Sequence, residues 1–229
     1  MDVSGAVRIG IFGGTFDPIH VGHLVAAVNV RHALRLDRLL LVVANEPWQK
    51  AGLRSITPAT DRFAMVEAAL GDVPGIEASR LEIDRGGPSY TADTVAEVAA
   101  LHPGSDLFCV VGADVADVLA TWEQSDLIAR LATLVVVNRP GSVRSAALDG
   151  WRVAEVEVPA LEVSSTDLRA RAADGRPLDY LVPEGAVTCM RARGLYADQQ
   201  MTVTSGRPGL GDPGALPAGA AGMRPAVEW

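Results

Sequence analysis

Short apolar runs alternate with stretches of helical spacing from about residue 8 to residue 195. Ile9, Ile11 and Phe12 form a run that stops at Gly13-Gly14, as an interior strand of a parallel sheet does. From Ile19 the spacing Val21, Leu24, Val25, Val28 predicts a helix to about Leu34, and Leu39 to Val43 is a second strand. This is a βαβ unit, whose crossover is almost always right-handed. Thr57-Pro58 opens a helix whose buried face is Phe63, Val66 and Leu70. A strand follows near 75–79, and Leu81-Glu82-Ile83-Asp84 alternates as a half-exposed strand would. After the loop Arg85-Gly86-Gly87-Pro88-Ser89-Tyr90, Thr91 can cap a helix of Val95, Val98 and Leu101. Leu107 to Val111 is the fourth strong strand, followed by a short helix through Leu119 and another over 125–131. Leu134 to Val137 and Val153 to Val158 complete the strands, with a loop at 142–150 between them.

The last helices open at Ser164 and near Pro183-Glu184-Gly185, the second ending near Leu195. Regular alternation predicts an α/β domain, a doubly wound parallel sheet over residues 1–198, with a small C-terminal helical part from about 164. Residues 199–229 are rich in Gly, Pro and Ala without apolar periodicity and are expected to be a flexible tail.

Composition narrows the function. A chain of 229 residues, 48% hydrophobic and 21% charged, can build one sizeable core. Its net charge of -8 argues against general nucleic-acid affinity, so any phosphate site must be local. No uninterrupted apolar run is long enough to span a bilayer, and no basic region followed by an apolar stretch opens the chain. A soluble cytoplasmic protein that does not engage membranes is therefore expected. Cys109 and Cys189 are expected to be reduced thiols. Oligomeric state is left open, a homo-oligomer included.

The candidate chemistry gathers where strands end. Gly13-Gly14 lets backbone approach a ligand closely, and a helix starting at the strand's C-terminal end offers N–H groups and a positive dipole end to an anion. His20 and His23, three residues apart on its first turn, project to the same side. They make a poor closed metal site, since no third ligand is near, and no protein metal site is expected. Lys50, the only lysine, falls in the loop after the second strand and so on the same edge. Ser164-Ser165-Thr166-Asp167 resembles a capping box, with Arg169 one turn further on. No serine–histidine–acid set or reactive cysteine motif suggests a covalent intermediate.

The run Gly13-Gly14-Thr15-Phe16-Asp17-Pro18-Ile19-His20-Val21-Gly22-His23 resembles the signature of the HxGH nucleotidyltransferases, and Ser164-Ser165-Thr166-Asp167-Leu168-Arg169 resembles that family's second motif. The resemblance implies a Rossmann-like nucleotidyltransferase fold and ATP as substrate, with Mg²⁺ carried mainly by the nucleotide. It assigns His20 and His23 to the α-phosphate and Lys50 and Arg169 to the β- and γ-phosphates. Gly13, Gly14, Thr15, Phe16, Gly22, Ser165 and Thr166 complete the nucleotide site. Gly112 and Asp114 would meet ribose.

Gly87 to Thr94, GPSYTADT, with Trp122 downstream, is similar to the branch acting on nicotinic acid mononucleotide. There Thr91 would offer backbone donors to the nicotinate carboxylate, Trp122 would stack on the ring, and Tyr90 would line the pocket. Gln49 stands where relatives commonly carry histidine, and Glu123 follows Trp122 closely and is expected to face solvent. The alternatives are an enzyme acting on nicotinamide mononucleotide or another small phosphate acceptor, and a non-catalytic nucleotide sensor.

Overall fold

The computed structural model describes residues 5–47, 55–113, 122–138 and 150–197. Its strands are β1 (Arg8–Gly14), β2 (Arg38–Val43), β3 (Ile76–Ser79), β4 (Asp106–Gly112), β5 (Ala132–Asn138) and β6 (Val153–Glu157). Its helices are α1 (Val21–Ala33), α2 (Ala59–Leu70), α3 (Leu81–Arg85), α4 (Thr91–Leu101), α5 (Ser125–Leu131), α6 (Ser165–Asp174) and α7 (Glu184–Ala192). All strand pairs are parallel, in the order β3-β2-β1-β4-β5-β6. The chain winds outward one way from β1 and the other way from β4. The crevice beyond the carboxyl ends of those two strands is the topological switch point where such sheets bind ligands.

Strand periodicity sorts the apolar side chains between two layers. Leu39, Leu41, Val43, Phe108, Val110, Val135 and Val137 face α1, α2, α6 and α7. Ile9, Ile11, Leu40, Val42, Leu107, Cys109, Leu134 and Val136 face α4 and α5. A doubly wound α/β sheet is thus what the apolar pattern dictates. Cys109 and Cys189 are both free thiols, and burial pushes the Cys109 thiol up to about 12. Among the described residues no helix is long and apolar enough to cross a membrane.

Three local expectations fail, each for a packing reason. Residues 81–85 are helix α3 rather than strand: Glu82 is buried and accepts a hydrogen bond from Thr94 Oγ1, which a solvent-facing strand position would not reach. In α1 the buried residues are His23, Ala26, Ala27 and Val30, while Val28 stays 45% exposed, because small side chains let the helix lie close to the sheet. In α2 the buried stripe is Arg62, Met65, Val66 and Leu70, and half-buried Phe63 instead lies beneath the Arg80 guanidinium.

Candidate active site

The β1–α1 turn buries Asp17, His20 and His23 together. Phe16 takes a left-handed backbone (φ 49) with its ring buried, edge-on to Phe12 at 6.0 Å and to His23 at 5.0 Å. Gly14 is required here, since a Cβ would stand 2.7 Å from that ring. Gly13 is exposed, with open space where a Cβ would be, so its backbone can be approached closely. Gly22 has a related reason: a Cβ there would press on the His20 ring at 3.0 Å.

His20 is the N-cap residue of α1, and its backbone N–H donates to Nδ1 of His23 at 3.2 Å. A neutral His23 that accepts at Nδ1 carries its proton on Nε2, which makes Nε2 a donor. The two rings lie 3.8 Å apart. Both imidazoles are only 1% exposed, where the sequence had placed them facing an anion at an open helix start. The Val21 N–H, also expected to be open to an anion, donates instead to the Leu181 carbonyl at 3.0 Å.

Nδ1 and Nε2 of His20 have no hydrogen-bond partner among the described residues. Two unpaired buried ring nitrogens are costly, and that cost falls when a ligand pairs them. Burial, assisted by His23, pushes the His20 imidazolium down to about 2, so the ring is neutral at physiological pH.

The C-terminal helical part closes on this turn. Ser164 caps α6 by accepting the Asp167 N–H at 3.2 Å. Ser165 Oγ donates to the Pro18 carbonyl at 2.9 Å. Arg169 donates from Nη1 to the Asp17 carbonyl at 2.7 Å and from Nη2 to Thr166 Oγ1 at 3.0 Å. Tyr196 donates its hydroxyl to Asp17 Oδ1 at 2.5 Å, and burial together with the Asp17 charge raises the phenol well above its ordinary value.

The loop before α4 lies beside the chain just past the carboxyl end of β2, where Pro88 pairs with Glu46 in a parallel bridge. Asn45, just past β2, donates from its backbone N–H to Ser89 Oγ at 2.8 Å and from Nδ2 to the Gly87 carbonyl at 2.9 Å. The Ser89 N–H donates to the Glu46 carbonyl at 3.0 Å. Tyr90 is the N-cap residue of α4, with Thr91 the first helical position, so this helix start has no hydroxyl cap of the expected kind. Behind it Glu82 Oε1 accepts from Thr94 Oγ1 at 2.5 Å, and Arg85 donates to Glu97 at 2.8 Å and to Thr94 at 3.0 Å. Burial raises the Glu82 carboxyl above its ordinary value. Trp122 packs half-buried against the β4–α4 layer, and among the described residues its Nε1 has no hydrogen-bond partner.

The structure thus brings Gly13, Gly14, Thr15, Phe16, His20, Gly22, His23, Ser165, Thr166 and Arg169 together around one turn, although Phe16 contributes there by backbone, its ring being buried. Gly112 ends β4 beside Val137. Tyr90 and Thr91 stand apart at the α4 start. Lys50 and Asp114 lie outside the described residues, as do Gln49, the short helix through Leu119, most of the 142–150 loop and the tail. Sequence reasoning missed Arg62, 1% exposed, which donates to the carbonyls of Thr15, Asn45 and Thr57. Its signal was position: Arg62, Met65, Val66 and Leu70 share one stripe of the helix.

A family model described as cytidylyltransferase-like matches residues 11–171. A protein of Corynebacterium kroppenstedtii named probable nicotinate-nucleotide adenylyltransferase is 47% identical over 192 residues, covering 82% of this chain and 90% of that one. A Streptomyces coelicolor protein of the same name is 47% identical over 185 residues, covering 80% and 98%. A Mycobacterium tuberculosis protein so named is 42% identical over 196 residues, covering 82% and 91%. The fold also matches Plasmodium falciparum nicotinic acid mononucleotide adenylyltransferase complexed with NaAD, with a TM-score of 0.69, 17% identity, and coverage of 82% of this chain and 97% of that one.

Proposed function

From the chain's membership of the cytidylyltransferase-like family, in its nicotinate-nucleotide adenylyltransferase branch, we propose that it transfers the adenylyl group of ATP to nicotinic acid mononucleotide, giving nicotinic acid adenine dinucleotide and pyrophosphate. The observation that carries this reading is the joining of the two motifs. Ser165 and Arg169 bond directly to the carbonyls of Pro18 and Asp17, beside an imidazole whose two nitrogens have no partner among the described residues.

In the reaction a phosphate oxygen of the mononucleotide forms a bond to the α-phosphorus. The bond from that phosphorus to the bridging oxygen breaks, and its electron pair leaves on pyrophosphate. The protein's work is positioning and stabilising developing charge. His23, donating through Nε2, and neutral His20, donating through one ring nitrogen, serve oxygens of the α-phosphate. Lys50 and Arg169 draw charge from the leaving phosphates, and Ser165 and Thr166 hold the turn that places them. The cation is taken to arrive as part of the nucleotide substrate, and Mg²⁺ on the phosphates would offset their charge.

At the other pocket Trp122 offers a flat face for the pyridine ring, and the N-terminus of α4 at Tyr90 and Thr91 offers N–H groups to the nicotinate carboxylate. Because both histidines are buried, entry of nucleotide displaces whatever shields them. Pairing the His20 nitrogens favours that displacement.

Incubation with ATP, Mg²⁺ and either mononucleotide, following pyrophosphate release, tests the reading. Faster release with nicotinic acid mononucleotide is expected. Preference for the amide overturns the acceptor assignment, and release with neither overturns the activity.

A further inference from the structure

Arg62 takes no part in the chemistry above, yet among the described residues it is the largest side chain wholly enclosed. Its guanidinium reaches three separate segments. Nη1 donates to the Thr15 carbonyl in the β1–α1 turn at 2.8 Å, Nη2 to the Asn45 carbonyl past β2 at 3.0 Å, and Nε to the Thr57 carbonyl ahead of α2 at 2.7 Å. Asn45 carries the connection onward through its backbone N–H to Ser89 Oγ and its amide to the Gly87 carbonyl. An unbroken chain of hydrogen bonds therefore runs from the turn that would hold the nucleotide phosphates to the loop that would hold the acceptor.

We propose that Arg62 and Asn45 form a strut that sets the separation of the two substrate pockets, making Arg62 a positioning residue of the transfer reaction. This rests on the adenylyl-transfer reading of the two pockets. A planar guanidinium fixes the directions of its donors, so three carbonyls bound to it are fixed relative to one another. Main-chain acceptors cannot escape by changing rotamer. Attack on phosphorus needs the reacting atoms within about 3–3.5 Å, and a misplacement of about 1 Å can lower the rate about 10²-fold. A lysine at the same place keeps the charge but has a flexible stem and no fork, so it cannot hold all three segments.

The test uses the full chain, ATP with Mg²⁺, and nicotinic acid mononucleotide, with Arg62→Lys, Ser89→Ala and the double variant. Arg62 and Ser89 are linked through Asn45, so their losses should not multiply. Arg62→Lys is expected to lower kcat about 10²-fold with far smaller changes in either KM. The double variant should fall little below Arg62→Lys. A double-variant loss equal to the product of the single losses overturns the strut, because two independent structural defects multiply.

Should Arg62→Lys fail to fold, amide exchange in Ser89→Ala decides. A strut carries the release of the loop back to the turn, so the amides of Thr15, Phe16 and Asp17 exchange faster than in the parent chain. Unchanged exchange there overturns it. Absence of pyrophosphate release from the parent protein would defeat the adenylyl-transfer reading alone, since the exchange result is read without turnover.

Discussion

The two loops at the carboxyl edge of β1 and β2 are built in different ways. The β1–α1 turn is dry: Phe12, Phe16, Ile19, Asp17, His20 and His23 are all at most 4% exposed, and Ser165 and Tyr196 reach it from more than a hundred residues away. The loop ahead of α4 is wetter. Its residues 87–91 are exposed or half-exposed, and it hangs from Asn45, Glu46 and Glu82 by hydrogen bonds. Low dielectric strengthens every polar contact and makes every unpaired group costly, so the first region suits stabilisation of developing charge. The exposed rim of the loop meets the acceptor, while Asn45 keeps the loop at its distance from the turn. The division teaches that rate should depend on the turn and acceptor affinity on the loop.

Replacing His23 by Ala is the hardest blow to that division. Loss of a positioned donor in a dry site should lower kcat on the order of 10²-fold or more, while the KM for the acceptor moves little. Steady-state kinetics on a variant verified as folded would show it. Near-normal turnover would mean that the dry turn does not serve the transition state.

Next in size is Tyr196→Phe, which strips the hydroxyl from a bond to a carboxylate 1% exposed. Hydrogen bonds to buried charged groups are worth about 2 kcal/mol, so the denaturant midpoint should fall accordingly without a change in m. A loss below a few tenths of a kcal/mol would show that the turn is not dry.

The pH dependence of stability sharpens the same point. The His20 value in the folded chain, about 2, lies below the ordinary 6.5, so between them the unfolded chain binds the extra proton and stability falls as pH falls. At pH 5 the deficit from this one ring is about 2 kcal/mol relative to pH 7.5, at 1.36 kcal/mol per pH unit below 6.5. A His20→Asn variant keeps a good N-cap and should lose that part of the dependence. Parallel stability profiles for the two proteins would refute the burial of a neutral ring.

The same contrast explains what could be read from the sequence. Alternating apolar runs revealed the sheet, and the fixed spacing of the glycine and histidine run and of the serine-rich turn marked where an anion could be held, because local chemistry there needs particular residues in a particular order. Ser165 and Arg169 were assigned from that motif, but their bonds to Pro18 and Asp17 span about 150 residues and follow only from the topology. Burial of the imidazoles was equally hidden: Phe12 and Phe16 lie against the His23 ring, and His20 lies against His23, contacts that residue spacing alone does not reveal. On the loop side less was legible. Leu81 to Asp84 alternates in either conformation over so short a span, and only the Thr94 contact shows why it turns as a helix. Arg62 was not singled out in the sequence, although its place on the stripe of Met65 and Val66 marked it as enclosed.

The smallest expected effect comes from the loop. Thr94→Val keeps the shape of the side chain and removes the hydroxyl that donates to Glu82. Glu82 is not left alone by this change, because Ser89 also bonds it and Arg85 lies near enough to favour its charge. The stability cost should therefore be about 1 kcal/mol, below that of Tyr196→Phe. Because α4 begins at Thr91 and Thr94 anchors its first turn, the KM for nicotinic acid mononucleotide should rise several-fold, roughly the worth of one hydrogen bond, with kcat nearly constant. Should kcat fall as steeply as in His23→Ala while the acceptor KM stays put, the loop would be as rigid a part of the catalytic apparatus as the turn, and the distinction between the two regions would be lost.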